Sequence, residues 1–436
     1  APAVAAEVLH AVADRIRLQQ LRGVDKGIKA RGIKVGLVEI VHDLAVGGIV
    51  ALLFGGTVTN CANRVSITIT TRKDAIDFFA GGVVGHVYGD EGGDEGFGSS
   101  TVNNCINSGS IDAVATVSGC IGGVVGALGD TNPDSASVAE GTIQLCKNSG
   151  SIRVTGCKKS TWVGGIIGLG TGGTLVNCFN SGAVICTADR NQDLSFVGGV
   201  IGSSGDFTNE NDDASDYAIS INACENSGAV CATDTNKDNS MAWAGGIAGF
   251  SYGAIRNAAN TGSVQGQGNT GGIVGINMPA AVSNCYNWGD VIDNGSDSIV
   301  SGIGFVTDDG EDGSLALNSY YICKINSDDT VDMKYINKAE QEITYEEASH
   351  AYKVGENTLV KTLNENRGND DLKWFVNIPE GITKPIFVKQ WDGTDHPDYV
   401  PDGTEKEVHV TYDSNDGSGG RTVTVAVTLN EDGTVK

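Results

Sequence analysis

The sequence predicts an all-β protein: a parallel β-helix of about eight coils, capped by a helix at the N-terminus and by a small cap region at the C-terminus. Three observations predict it. A glycine pair flanked by aliphatic residues returns eight times. A Cys-x-Asn triplet, once Ala-x-Asn, returns seven times between the pairs. Glycine supplies 62 of 436 residues and proline only 7, which excludes collagen, an architecture that needs proline and a strict three-residue period.

The glycine pairs stand in VGGIVA (Val46–Ala51), AGGVVG (Ala80–Gly85), IGGVVG (Ile121–Gly126) and VGGIIG (Val163–Gly168). VGGVIG (Val197–Gly202), AGGIAG (Ala244–Gly249), TGGIVG (Thr270–Gly275) and a degraded SGIGF (Ser301–Phe305) follow. Their spacings are 34, 41, 42, 34, 47, 26 and 30 residues. A fixed motif at a variable period means fixed coils carrying loops of different length.

The second ladder is Cys61, Cys105, Cys146, Cys178, Cys224, Ala258 and Cys285. Two residues on stands Asn63, Asn107, Asn148, Asn180, Asn226, Asn260 or Asn287. Three residues before and six after it, every copy is aliphatic. The shortest unit, 26 residues, is too short for a helix pair with turns, and the units are rich in Val, Ile and Thr. They read as three short strands per coil, each paired with its copy in the next coil. The coil is taken as right-handed by analogy with common parallel β-helices. An offset of three between the aliphatic position and the Cys has the wrong parity for one flat strand, so a bend lies between them. The ladder Asn suits that corner, where left-handed backbone is tolerated, and stacked Asn side chains can bond along the ladder. The ladder Cys reads as a small buried hydrophobe. Cys120, Cys157, Cys186, Cys231 and Cys323 lie off the ladder and are the better candidates for disulfide bridges.

At these residues the chain resembles a known family. GGIVG followed by NCxNSGxV is similar to the GLUG-type repeats of bacterial surface proteins, which also occur beside the catalytic region of some IgA-cleaving metallopeptidases. The likeness spans Val46 to Tyr321. It implies an extracellular or cell-surface protein of adhesin-like character, with a host or bacterial surface glycan or protein as partner. No HExxH is present, so the peptidase chemistry is not carried over. ITYEEASHAYKVGENTLVKTLNENRG (Ile343–Gly368) and KWFVNIPEGITKPIF (Lys373–Phe387) look like the capping segment that ends such solenoids.

Four regions follow. Residues 1–45 are a helix and capping segment, with Leu9, Val12 and Ile16 on one face of a helix over 4–22. Between Asp14 and Lys34, seven Lys or Arg stand against Asp14 and Asp25; they cover the open end of the solenoid or make a basic contact patch. Residues 46–335 are the solenoid. Residues 336–395 are the C-terminal cap, with a helix over Tyr345 to Leu363. Residues 396–436 are a linker and a β-hairpin, Val408–Tyr412 with Thr422–Leu429, similar to the opening of a β-grasp surface repeat.

The formal net charge of −25 argues against nucleic acid, whose phosphates need Lys and Arg. No apolar run reaches the length of a membrane-spanning helix. Acidic segments follow the glycine-pair strand at Tyr88–Gly96, Gly129–Gly141, Gly205–Asp216 and Thr307–Gly313. They leave the same corner of the coil, so Asp90, Glu91, Asp94, Glu95, Asp206, Asp212, Asp213, Asp216, Asp308 and Asp309 line one ridge. The ridge reads as a solvated edge, as a Ca²⁺ site or as carboxylates for catalysis. Calcium is the one cofactor suggested. An aromatic row stands two residues before the glycine pairs: Phe79, Cys120, Trp162, Phe196, Trp243 and Asn269. Pointing inward it is core. Pointing outward, Trp162, Phe196 and Trp243 form a stacking platform for a sugar or a protein. The six histidines are scattered, and there is no GxSxG, P-loop or dinucleotide motif, so no catalytic residue is assigned. The expectation is a non-enzymatic surface scaffold. The alternative is a carbohydrate-active β-helix enzyme, a polysaccharide lyase or glycoside hydrolase using carboxylates on the loop ridge.

Overall fold

Every repeat of the glycine pair becomes one coil. The structure, a computed structural model, describes residues 44–71, 78–88, 99–129, 141–189, 193–205, 218–236, 241–278, 280–295, 299–306, 316–321, 325, 341–342, 353–354, 357–366, 374–377, 387–390, 405–412 and 421–428. The chain divides into two compact units, Ala1–Gln341 and Glu342–Lys436.

The first unit is a stack of parallel coils, but each of the first seven coils holds five short strands, not three. In the second coil they are Phe78–Gly81, Val84–Tyr88, Ser100–Asn103, Ile106–Asn107 and Ile111–Val114. Each strand pairs only with its counterparts in neighbouring coils, giving five parallel sheets of eight, eight, eight, nine and seven strands. The first glycine of each pair runs in register through sheet 1 as Gly47, Gly81, Gly122, Gly164, Gly198, Gly245 and Gly271, ending at Ser301. Two corners explain the difference from three strands, one of them the bend expected between the aliphatic position and the Cys. One is the glycine pair itself, between sheets 1 and 2. The other is the residue before the ladder Cys, between sheets 3 and 4.

That second corner takes left-handed backbone. Asn60, Asn104, Leu145, Asn177, Ala223, Asn257, Asn284 and Asn318 all have φ between 50° and 57°. The Asn that serves the corner is therefore this one, and not the ladder Asn two residues beyond the Cys. Asn tolerates the conformation; Leu145 and Ala223 adopt it against the steric preference of an ordinary L-residue.

The ladder Asn has the other role expected of it. Each is buried, and each but the last donates through Nδ2 to Oδ1 of the Asn in the next coil, at 2.8 Å, in an unbroken chain from Asn63 through Asn107, Asn148, Asn180, Asn226 and Asn260 to Asn287. The second Nδ2 hydrogen goes to the carbonyl two residues on, and the amide there returns a bond to Oδ1: Asn180 to Gly182 O at 2.8 Å, Gly182 N to Asn180 at 3.2 Å. Both donors and both acceptor sites of the amide are used, which is what a buried amide requires.

The amide also explains the second glycine. A Cβ on Gly165 would lie 2.4 Å from Cγ of Asn180 and 2.0 Å from the carbonyl oxygen of Gly199 in the next coil. Gly82 meets Asn107, and Gly199 meets Asn226, in the same way. The Asn thus reaches across the coil and rests on the glycine corner. This contact makes a waist. On one side, sheets 2 and 3 with the Cys corner enclose Val84, Val102, Cys105, Ile143, Cys146, Ile167, Cys178 and their neighbours. On the other, sheets 1 and 5 enclose Ala80, Ile111, Ile121, Ile152, Val163 and Val184.

Residues 1–43, with the expected helix and basic segment, lie outside the described residues. In the second unit, Lys353–Val354 pairs antiparallel with Asn357–Thr358 where the helix over Tyr345–Leu363 was expected. Gly355 stands between the two strands in sequence, and glycine disfavours helix and favours a tight turn. The helix there runs Leu359–Asn366. Its Asn364 exchanges two hydrogen bonds of 2.9 Å with the backbone of the buried Trp374. Trp374–Asn377 pairs with Phe387–Gln390, and Glu405–Tyr412 with Arg421–Thr428, the last being the hairpin read from sequence.

Two substitutions test the waist. Asn180→Ala strands four buried hydrogen-bonding groups and is expected to cost about 3–5 kcal/mol of stability. Asn63→Ala, at the first described rung, is expected to cost less than half as much. Urea unfolding of both variants checks the order. Conversely, Leu145→Asn and Ala223→Asn relieve left-handed strain and are each expected to add about 1 kcal/mol, read as a rise in the urea midpoint.

Candidate functional site

The aromatic row faces away from the waisted interior. On the first strand of coil two, Phe78 and Ala80 belong to the sheet 1–sheet 5 core, while Phe79 between them belongs to a separate cluster. Register carries that position through Cys120, Trp162 and Phe196 to Trp243. From sheet 2 the same cluster receives Ala127, Leu169, Phe250 and Ile276. The tight glycine corner brings the outer faces of the two sheets against one another, so a third apolar cluster forms outside the coil.

Its rings touch in sequence along the stack. Trp162 and Phe196 have centroids 6.5 Å apart, Phe196 and Trp243 5.3 Å, Phe196 and Phe250 5.4 Å, Phe250 and Tyr252 4.9 Å. Lower in the stack, His86 lies between Phe79 at 4.4 Å and Tyr88 at 3.8 Å, with Nε2 2.7 Å from the carbonyl oxygen of Gly129. These separations are those of favourable aromatic pairs. Phe79, Trp162 and Phe196 are buried; Trp243 is only partly so. The row therefore points outward, as a platform requires, yet three of its rings are packed as core. Solvent reaches the cluster at Trp243 and at Leu194, Tyr252, Met278 and Phe305, all of them partly buried.

The ridge acids Asp90, Glu91, Asp94, Glu95, Asp206, Asp212, Asp213, Asp216, Asp308 and Asp309 lie outside the described residues. Their anchor points do not. The strands that precede the acidic segments end at Tyr88, Leu128, Ser204 and Val306, and the strands that follow begin at Ser100, Gly141, Ser220 and Ala316. All are strands of sheets 2 and 3, so every acidic segment is inserted at one corner. The fourth coil crosses that corner in three residues, Thr171–Gly173, which separates the insertions of coils two and three from that of coil five. Among the described residues, no group of three or more His, Cys, Asp or Glu is placed to hold a metal ion.

The ladder thiols are placed as structure. Cys105, Cys146, Cys178, Cys224 and Cys285 are buried, and all described cysteines are free thiols. Each of these five donates to its own i−2 carbonyl and to a carbonyl of the preceding coil; for Cys105 these are Asn103 at 3.4 Å and Val58 at 3.5 Å. Burial raises the pKa of Cys178, and pushes Cys285 up to about 12. Those two thiols remain protonated and are poor nucleophiles at neutral pH.

Two buried acids, Asp234 and Asp293, escaped the sequence reading. Asp293 stands eight residues beyond the ladder position, and register places it above Gly266 on the inward face of sheet 5. At that offset the earlier coils carry Ile69, Ala113, Val154, Cys186, Ala232 and Gly266. A carboxyl has entered an apolar row. Burial pushes its pKa up to about 6, against the opposing pull of backbone amides at Gly295 and Asn294. The signal was available: tabulating offset eight shows six small or apolar residues and one Asp.

No family model matches this chain, and neither a curated protein nor a solved structure matches it.

Two outcomes are expected. The folded pKa of Asp293, about 6, lies above the unfolded value of about 3.9. Its burial therefore costs nothing below pH 4, costs progressively more between pH 4 and pH 6, and costs a constant amount above. Asp293→Asn should match the wild type in urea stability at pH 4 and exceed it by about 2 kcal/mol at pH 7. Trp162→Ala should cost about 3–5 kcal/mol, as for a buried aromatic, and the partly exposed Trp243→Ala clearly less.

Proposed function

We propose that this protein is a non-enzymatic, extracellular bacterial surface scaffold, adhesin-like in character, that presents binding segments from a rigid β-solenoid. One observation carries the reading. The cross-section of the coil is held constant by the Asn and glycine ladders, while segments of very different length are inserted at the corner between sheets 2 and 3, and shorter variable ones between sheets 5 and 1. A fixed rod with variable insertions in line is suited to presenting contacts at a set spacing, as solenoid proteins do. The likeness of its repeats to GLUG-type surface repeats supports the same setting. Trp243 and its neighbours, beside that corner's incoming sheet, offer an aromatic edge for a sugar or protein surface.

The test uses the intact chain on a glycan array and on immobilised extracellular-matrix proteins, with polysaccharide depolymerisation followed in parallel. Saturable binding, weakened at least fivefold by Trp243→Ala and without depolymerisation, is the expected result. Turnover of a polysaccharide would replace this reading with a carbohydrate-active enzyme. Thermal melts with millimolar Ca²⁺ and with EDTA form the second arm. An EDTA-reversible rise in Tm assigns the acidic insertions to calcium, since a ligand of the folded state alone must raise Tm. An unchanged Tm leaves them as solvated charge.

A further inference from the structure

The off-ladder cysteines are not equivalent. Cys157 ends the fifth strand of coil three, Ile152–Cys157, and Cys186 lies within the matching strand of coil four, Val184–Ala188. Their sulfurs are 4.0 Å apart, and both side chains are buried in the sheet 1–sheet 5 core. Register sets Cys186 opposite Val154 and, beyond a bulge, Cys157 opposite Ala188, so the two cysteines are diagonal neighbours on the inward face. The two thiols meet because the register shifts between Thr155 and Cys157, where Gly156 takes φ +72° and the strand bulges. A Cβ at Gly156 would sit in ordinary van der Waals contact, 3.7 Å from the Val114 side chain, so no close backbone approach clamps the bulge. The backbone is tied on the far side of the bulge, where Asp189 N donates to Cys157 O at 2.8 Å, and Lys158 faces Asp189 at 3.7 Å.

We infer that Cys157 and Cys186 form a redox-active dithiol that oxidises to a disulfide joining coils three and four. The ladder cysteines do not compete for this role. Their thiols are each committed to backbone carbonyls in repeating geometry, and in-register neighbours in a parallel stack are poorly disposed for a bridge. The 157–186 pair needs its sulfurs to close from contact to about 2 Å, and the bulge at Gly156 is the place where the strand can yield. The bridge closes a loop of roughly 30 residues, and a loop of that size restricts the unfolded chain enough to matter for stability. The balanced step is thiol–disulfide exchange with a small-molecule disulfide such as oxidised glutathione. One thiolate attacks it and releases one glutathione thiol. The second thiolate then attacks the mixed disulfide and releases the other. One S–S bond breaks and one forms; the two cysteines lose two electrons and two protons, which leave on the two released thiols. Because both sulfurs are buried, exchange proceeds during folding or through local opening.

The experiment refolds the full chain in a glutathione redox buffer, denatures it under acid, alkylates it, and maps the peptides by mass. The chain has 11 cysteines; the expected result is loss of two alkylation equivalents, with one disulfide-linked peptide pair containing Cys157 and Cys186. Adding reductant before alkylation should restore both equivalents. A companion Cys157→Ala variant should alkylate completely at Cys186, and its Tm should not respond to reductant, whereas the wild-type Tm should fall. Full alkylation of the refolded wild type, or a bridge that involves any ladder cysteine, would overturn the inference. The mass map of the wild type decides the question even if the variant folds poorly.

Discussion

The contact on which the coil depends is that of one amide with one glycine. Each ladder Asn crosses the interior and lies on the second residue of a glycine pair, so closely that a single methyl group there would overlap both the amide and the next coil's backbone. The amide could not be buried without full hydrogen bonding, and it obtains that bonding from its own turn and from the copy of itself in the next coil. The two ladders therefore require one another. An Asn alone would be a polar group in a hydrocarbon core. A glycine pair alone would be flexible chain with a high entropic cost of ordering. Stacked, they make a repeating strut that fixes the distance across the coil.

The strut also explains why the repeat period varies while the motif does not. Register is set inside the coil, by identical groups meeting identical groups. A slip of one residue in any sheet would misplace an Asn from its glycine and from both its neighbours, a far stronger penalty than the hydrophobic alternation of a strand imposes alone. The connections between sheets 2 and 3, and between sheets 5 and 1, carry none of this specification. They can lengthen at small entropic cost without disturbing the stack. The proposed scaffold role rests on this separation between an interior that cannot vary and corners that can.

The number of coils, the parallel pairing and the buried Cys were legible because each depends on recurrence, and recurrence is visible in one sequence. The number of strands per coil was not, because a glycine pair reads equally as a flexible link or as a sharp corner. Only the space around Gly82 or Gly165 shows that it is a corner packed against an amide. The two kinds of Asn were confused for a related reason. NC and CxN place both residues near one bend, and the left-handed one is identified by φ, as at Asn104, and not by composition. Leu145 and Ala223 hide that corner further, since neither residue type announces left-handed backbone. The direction of the aromatic row was unreadable because its neighbours on the strand are also apolar, so alternation carried no information. Asp293 is legible in principle, as one acid in a column of small or apolar residues.

The outer aromatic cluster bears on the proposed binding role. A parallel solenoid whose outer faces were all polar would offer only shallow, solvated contacts. Here the glycine corner folds sheets 1 and 2 sharply enough that Phe79, Trp162 and Phe196 become a third core outside the first two. Packing them removes apolar surface that would otherwise favour side-to-side association of rods. It also holds Trp243 at its position by contact with Phe196 and Phe250, at 5.3 and 6.1 Å. An aromatic ring that is partly exposed but held by buried neighbours loses little conformational freedom when it binds, and that preorganisation is what makes such a ring an effective anchor. The constraint that shapes the interior, a glycine corner too tight for any side chain, thus also creates a preorganised aromatic edge at Trp243.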